Sequence, residues 1–420
     1  MGTKKLYPNN MYLKEWEAKV TNIIRDSKEI ADLGGLATDE NPIAIVLDQT
    51  AFFPEGGGQP SDTGHIGTIP ISHVFEKDGV IYHQSRGEKL PTQDLLHQTL
   101  PCTIDWAGRF RNMQRHCGEH ILSAAFYELY GGVNRGFHMG EDYMTVDIAL
   151  EENPNYTSFT DEMIKAVEWR SNEYIWNDEP VTIYHFESKE EAALHPMRKA
   201  LTLDEDITLV CVGNESNAAG CVACCGTHPT TCGQVGLIKI YRWESYKGMT
   251  RIYFDAGQDA LKNYIQIDEI IKTLGRNYSA DKDSLLKKIQ LQDNKFKEVR
   301  QNLYEFKKAF TEERLKELLK ETGENKASVT VKEYPLLKTD DILIMMRGIP
   351  DNLHGLLALI SPSENTVLLH CNGHVDCGKL IKDNAHIWKG KGGGKAQSAR
   401  AMFPERQYLD CFIDFIKQAF

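Results

Sequence analysis

The spacing of apolar positions divides this chain into segments of different period. Between residues 11 and 90 they come in short runs. Ile43–Leu47 reads as a buried strand, and Ile66–Ile69, His73–Phe75 and Val80–His83 alternate around Asp/Gly turns after the turn-rich Pro54–Pro60. That pattern predicts a small β-barrel domain over 1–100. From residue 109 the period becomes helical, with a stripe of Ile121, Leu122, Ala125, Phe126 and Leu129 stopped by Gly131-Gly132. A strand at Met144–Ile148, an amphipathic helix from Thr160 to about Asn177, and strands at Val181–Tyr184, Ile207–Val212, Val235–Ile240 and Arg251–Phe254 complete an α+β domain over 101–257. Residues 258–325 read as helical and highly charged. Leu285, Ile289, Gln292, Phe296, Val299, Leu303, Phe306 and Phe310 alternate in steps of four and three, a coiled-coil seam. The preceding Gly275–Ser279 leaves a dimer zipper and a helical hairpin folded on itself equally open. Over 326–420 a small α/β domain is expected, with strands at Ile342–Met346, Leu356–Ile360 and Thr366–His370. A final helix there would bury Leu409, Phe412, Ile413 and Ile416. The expected fold class is thus α+β and multidomain.

Composition narrows the function classes. With 420 residues, 41% hydrophobic and 26% charged, the chain has the make-up of a globular protein of several domains. Its start shows no apolar run behind Lys4-Lys5, and no stretch of 18 apolar residues occurs, so neither a signal peptide nor a spanning helix is expected. A net charge of -12 argues against bulk, non-specific nucleic-acid binding but leaves room for a local basic patch. Five of the ten cysteines crowd into residues 211–232, which in a reducing cytoplasm reads as metal or thiol chemistry.

Two motifs carry that chemistry. His116-Cys-Gly-Glu-His120 puts two imidazoles one helical turn apart on one face. Cys224-Cys-Gly-Thr-His228, about 100 residues later, adds a thiol and a third imidazole, with Gly226 easing a tight turn between them. His116, His120, Cys224 and His228 make the nitrogen and sulfur set of one tetrahedral zinc ion, with Cys221 and Cys225 as competing thiols. His116-x-x-Glu119-His120 also reads as an inverted zincin motif with Glu119 as base, although a Cys/His pair suits a peptidase less well. The cluster His370, Cys371, His374 and Cys377 has no complementary motif nearby and reads as a strand end and turn.

In this order, these stretches resemble the editing half of alanyl-tRNA synthetase and its free-standing relatives, the alanyl-tRNA editing proteins of AlaX type. Leu47–Gln59 through Asp62-Thr-Gly64 is similar to the family's glycine-rich signature, Arg115–Leu122 to its His-x-x-x-His helix, and Phe137–Gly140 with Thr145–Asp147 to its pocket strand. Cys224–His228 with Gly233–Gly236 is similar to its Cys-Gly-Gly-Thr-His element, and Gly390–Gln397 to the DHH-associated domain that ends the synthetases. Two positions depart from the family pattern: Cys225 for a glycine, and Glu119 where a small hydroxyl residue is usual.

The resemblance implies a zinc-dependent aminoacyl-tRNA deacylase of the cytoplasm, without an aminoacylation domain. It would cleave serine or glycine from mischarged tRNA(Ala), contacting both the acceptor end and the body of the tRNA. Zinc would either activate water or hold the substrate amino group, and no general base is assigned. Gln59, Glu119, His138 and Thr145 are the pocket candidates. Arg109, Arg111 and Arg115, and in the tail Lys389, Lys391 and Lys395, are the RNA-contact candidates. A homodimer through the coiled coil or the C-terminal domain is an added expectation, and no membrane contact is foreseen. The alternative class is a zinc-stabilised protein that binds RNA or a partner without catalysis, because four protein ligands can close a site completely.

Overall fold

A computed structural model describes residues 2–36, 42–85, 95–150, 153, 155–201, 205–214, 216–324 and 329–420. The chain is a mixed α/β protein that divides into two compact units, Met1–Lys272 and Thr273–Phe420.

The first unit begins with a nearly closed, seven-stranded barrel sheet. Its strands run in the order Ile69–Ile71, Gly64–Ile66, Thr99–Ile104, Glu15–Ile24, Ile43–Leu47, Val80–Ser85 and His73–Lys77. The long strand Glu15–Ile24 went unread in the sequence, although Trp16, Ala18 and Val20 alternate with charged residues and face the barrel core. The expected strand Ile66–Ile69 is instead a hairpin, because Gly67 adopts φ 58° and turns the chain between two short strands. The glycine-rich turn 56–58 extends from this barrel.

Helix Trp106–Tyr130 follows directly. Asp105 caps it by accepting from the amides of Ala107 and Gly108, and Gly131 ends it at φ 66°. It packs on a four-stranded sheet ordered Val133–Met139, Met144–Ala149, Met249–Ala256 and Ile238–Tyr246. The approach is close: a Cβ on Gly118 would lie 2.3 Å from that of Ala256. Leu122 and Phe126 are buried here, whereas Leu129, expected in the stripe, is exposed in the last turn. Helix Asp161–Trp176, capped by Thr160, covers the same sheet face. A three-stranded sheet of Val181–Ser188, Glu205–Val212 and Cys221–Ala223 leads into the second motif.

In the second unit, helix Leu285–Glu324 precedes a five-stranded sheet ordered Val329–Glu333, Leu356–Ser361, Thr366–Cys371, Ser398–Met402 and Lys391–Gly394. The apolar run Ile342–Met346 is not a strand. It belongs to helix Thr339–Met346, whose start is fixed by Asp341 accepting from the amide of Lys338 and by the acidic first turn. The glycines of Lys391–Gly394 form the edge strand and not a loop, while helix Arg406–Ala419 buries Leu409, Phe412, Ile413 and Ile416 as expected. Of the predicted seam, Leu285 is buried, whereas Phe296, Val299, Leu303 and Phe306 are exposed on the single chain. No helix among the described residues is long and apolar enough to cross a membrane.

Candidate metal centre

The donor atoms of His116, His120, Cys224 and His228 all lie within 4.8 Å of one another, the only such group among the described residues. The two helical imidazoles have ring centroids 5.2 Å apart, and His228 sits 4.7 Å from His116 and 4.6 Å from His120. Sγ of Cys224 is 3.3 Å from Nε2 of His116. Each of the three histidines is at most 2% exposed.

Buried nitrogens normally find hydrogen-bond partners, and here three of them do not. Both ring nitrogens of His228 and Nδ1 of His120 are buried without one. Burial drives the His116 pKa down to about 4 and those of His120 and His228 well below the ordinary value, so all three rings are neutral and carry lone pairs. The same burial pushes the Cys224 thiol up to about 12, and the Gly226 amide, which donates to its sulfur at 3.4 Å, partly offsets this. A divalent cation would take one lone pair from each ring, including one of the orphaned nitrogens of His228, and favour the thiolate together. The residues present fit zinc.

Gln59 supplies the orientation. Its Nε2 donates to Oγ1 of Thr227 at 2.8 Å, which leaves Oε1 to accept from the Thr227 amide at 3.0 Å and from Nδ1 of His116 at 2.7 Å. Nδ1 of His116 therefore carries the proton and Nε2 is free for a metal. Gln59, expected in the substrate pocket, is thus a buried clasp between the glycine-rich turn, the helix and the second motif. Gly226 is required for space and not for turn freedom, since a Cβ there would lie 2.1 Å from Cε1 of His116.

The other predicted residues divide. Glu119 is buried beside the centre, its Oε1 accepting from Ser123 Oγ at 2.5 Å and Asn134 Nδ2 at 2.6 Å. His138 and Thr145 are a cross-strand pair on the sheet face away from the helix, while their neighbours Met139, Met144 and Val146 face it. A bulge between Asn134 and Gly136 resets the alternation, so that Asn134 and Phe137 both turn toward the helix. Phe137, which sequence reasoning did not single out, stacks on His116 with centroids 5.9 Å apart. Cys221 does not compete for the metal, being joined in a disulfide to Cys211, its direct partner across two strands. Cys225 is exposed, near Gly57 of the glycine-rich turn.

The three helical arginines are not a phosphate-contacting face. Arg109 is fully buried, with Nε 2.9 Å from both oxygens of Asp62 and further bonds to the carbonyls of Met11 and Ala51. Arg115 is buried against Asp255 at 2.8 Å, and Arg111 pairs with Asp259. Buried guanidiniums are held by paired carboxylates, and these tie the helix to the barrel and to the sheet. In the tail, Lys389 donates to the Tyr408 hydroxyl at 2.6 Å. Lys391 lines a cleft of about 790 Å³ with Arg400, Gly392 and Gly393, opposite Asp340 and Glu364, and Lys395 is exposed.

The family described as tRNA synthetases class II (A) matches residues 3–106, and that of the threonyl and alanyl tRNA synthetase second additional domain matches residues 207–253. The alanyl-tRNA editing protein AlaX-L of Pyrococcus horikoshii is 28% identical over 94% of this chain and 94% of its own length. The chain is a relative of the alanyl-tRNA editing proteins. It is also 27% identical to the alanine–tRNA ligase of Pyrococcus abyssi, over 95% of this chain but 42% of the ligase. With the ligase of Methanocorpusculum labreanum it shares 28% identity over 85% of this chain and 38% of the ligase. The chain therefore spans less than half the length of these two ligases while matching AlaX-L nearly end to end.

Proposed function

We propose that this chain is a trans-acting deacylase that hydrolyses the ester of mischarged tRNA(Ala), with zinc held by His116, His120, Cys224 and His228. The observation that carries the reading is the convergence of three neutral, partly orphaned imidazoles and one thiol in a relative of AlaX-L. When bound, the ion would supply a Lewis acid beside an ester that is already activated. The chain's own part is positional: Gln59 sets the tautomer and aim of His116, and Phe137 braces that ring. Gly57 and Gly58 are exposed and Cys224 is half-buried, in contrast to the three buried imidazoles. Serine and glycine are the amino acids removed, and alanine is spared. In the tail, Lys391, Lys395 and Arg400 beside the glycine edge strand contact the phosphates of the tRNA body.

The deep burial of the imidazoles favours a second reading, a closed zinc site that only stabilises the fold. One assay separates the two. Ser-, Gly- and Ala-tRNA(Ala) are incubated with the zinc-loaded protein and with the chelated, refolding-checked protein. Loss of Ser and Gly esters that stops on chelation and returns with zinc is the expected result. No metal-dependent loss of any ester removes the deacylase reading.

A further inference from the structure

The four-stranded sheet carries a second pattern on the face that the helices leave uncovered. Met144, Val146, Ile252 and Phe254 point into the core beneath the helices, so strand alternation sends Thr145, Asp147, Arg251 and Tyr253 to the other side. The strand registers set Arg242 opposite Tyr253, Tyr253 opposite Thr145, and Thr145 opposite His138. These four residues form one row across all four strands, about 14 Å long at about 4.8 Å per strand. Arg242 lies over the Tyr253 ring at 3.4 Å, and the Tyr143 ring meets Tyr253 edge-on with centroids 5.3 Å apart. Beside the row, Arg251 lies over the Tyr246 ring at 3.5 Å. His138, Tyr143 and Arg242 are exposed.

Guanidinium and aromatic planes presented together are the surface on which nucleobases stack, and only an unpaired strand offers its base faces to them. The carboxylates of this face are already engaged. Asp147 accepts from Arg251 at 2.7 and 2.8 Å, and Glu244 accepts from Arg242 at 3.0 Å and from the Tyr253 hydroxyl at 2.6 Å. Arg251 and then Lys247 flank the row on one side, whereas the exposed Glu141 and Asp142 of the hairpin turn flank it on the other. A phosphate backbone is drawn to the first flank and repelled by the second, which leaves the bases over the row. The row also leads to the metal centre. His138 belongs to the edge strand Val133–Met139, and the residue before it, Phe137, turns to the helix side and stacks on His116.

Resting on the deacylase reading, we infer that this row binds the single-stranded acceptor end of the tRNA. Its bases stack on Arg242, Tyr253 and His138, and the esterified ribose passes over the edge strand toward the metal centre. At about 3.4 Å per stacked nucleotide, the row holds about four. His138 is thereby a residue of the RNA surface and not of an amino-acid pocket, and none of the row touches the reacting ester.

The test is binding, followed by fluorescence anisotropy at one salt concentration, of an unacylated RNA hairpin bearing the tRNA(Ala) acceptor stem, with and without its single-stranded 3′ end. Zinc content is measured for each protein. The wild type is expected to prefer the RNA that carries the end by at least about tenfold. Tyr253→Leu and Arg242→Lys remove a stacking plane while keeping bulk or charge, and each should erase at least about fivefold of that preference. Tyr253→Phe keeps the plane, loses only the bond to Glu244, and should retain the preference. Wild-type affinities for the two RNAs within about twofold of each other overturn the inference. So do an unchanged preference in both Tyr253→Leu and Arg242→Lys, and an equal loss in Tyr253→Phe and Tyr253→Leu. Each of these results leaves ester hydrolysis by the wild type, and with it the deacylase reading, standing. A wild type that prefers the single-stranded end but cleaves no ester removes the deacylase reading and leaves the row an RNA-binding surface.

Discussion

His116, His120, Cys224 and His228 come from two distant segments and meet, whereas His370, Cys371, His374 and Cys377 lie within one short stretch and do not. The second group starts at the end of a strand, where alternation sends neighbours to opposite sides. His370 faces the layer that holds Leu357 and Leu368, while Cys371 enters the opposite core with Cys377. His374 is exposed, 6.2 Å from the ring of His354. Burial pushes the Cys377 thiol up to about 12, and it behaves as a small apolar side chain. What distinguishes the first group is not density in sequence. It is a helical i, i+4 pair, a turn with no Cβ in the way, and a glutamine that assigns the tautomer.

The sharpest way to break this contrast is to replace one ligand in each group. His116→Ala or Cys224→Ser should release the zinc, measured by elemental analysis, and lower ester hydrolysis by about 10³-fold or more. Cys377→Ala should leave the zinc content unchanged. Retention of metal after either of the first two substitutions would dissolve the distinction.

Acid should separate the units next. His83, His116, His120 and His228 in the first unit all have folded pKa values below the unfolded one, through burial, and in the second unit His370 is lowered in the same way. For such groups the unfolded chain takes up protons that the folded chain refuses. Metal-free stability is therefore intact above pH about 6.5 and falls as pH drops toward 4, by up to about 1.4 kcal/mol per pH unit for each fully depressed group. Hydrogen exchange should show residues 106–130 losing protection between pH 7 and 5 faster than residues 356–371. Equal loss would mean that these imidazoles do not govern the first unit.

Gln59→Leu is a milder probe. It keeps the side-chain volume but frees the His116 ring, and should weaken zinc affinity by about 10–100-fold in competition with a chromophoric chelator. The smallest effect belongs to the tail: Lys391→Ala with Arg400→Ala should reduce the salt slope of tRNA binding by about 1 per lost phosphate contact and leave zinc content untouched.

The metal quartet was legible because its spacing is local within each motif, and the helix it needs is announced by its own apolar stripe. His138 and Thr145 pair on the sheet face away from the helix, and for His138 that parity is set by the bulge after Asn134, which composition does not reveal. The arginines look alike in sequence whether water surrounds them or they pair with Asp62, Asp255 and Asp259, each of which lies far away along the chain. The role of Gln59 was hidden in the same way, since its partners are His116 and Thr227. Hydrophobicity alone predicts a strand at Ile342–Met346, whereas the acidic Asp340-Asp341 just before it marks the first turn of a helix.

The buried pair of Asp62 with Arg109 bears on how this molecule can be divided. A cut at the start of the long helix would strand a guanidinium in the interior with no anion, and would remove the clasp on His116 in the same stroke. The barrel is for that reason no detachable accessory. Any gene fusion or fission that carries the helix to a new context has to carry the preceding hundred or so residues with it, as a single inheritable cassette.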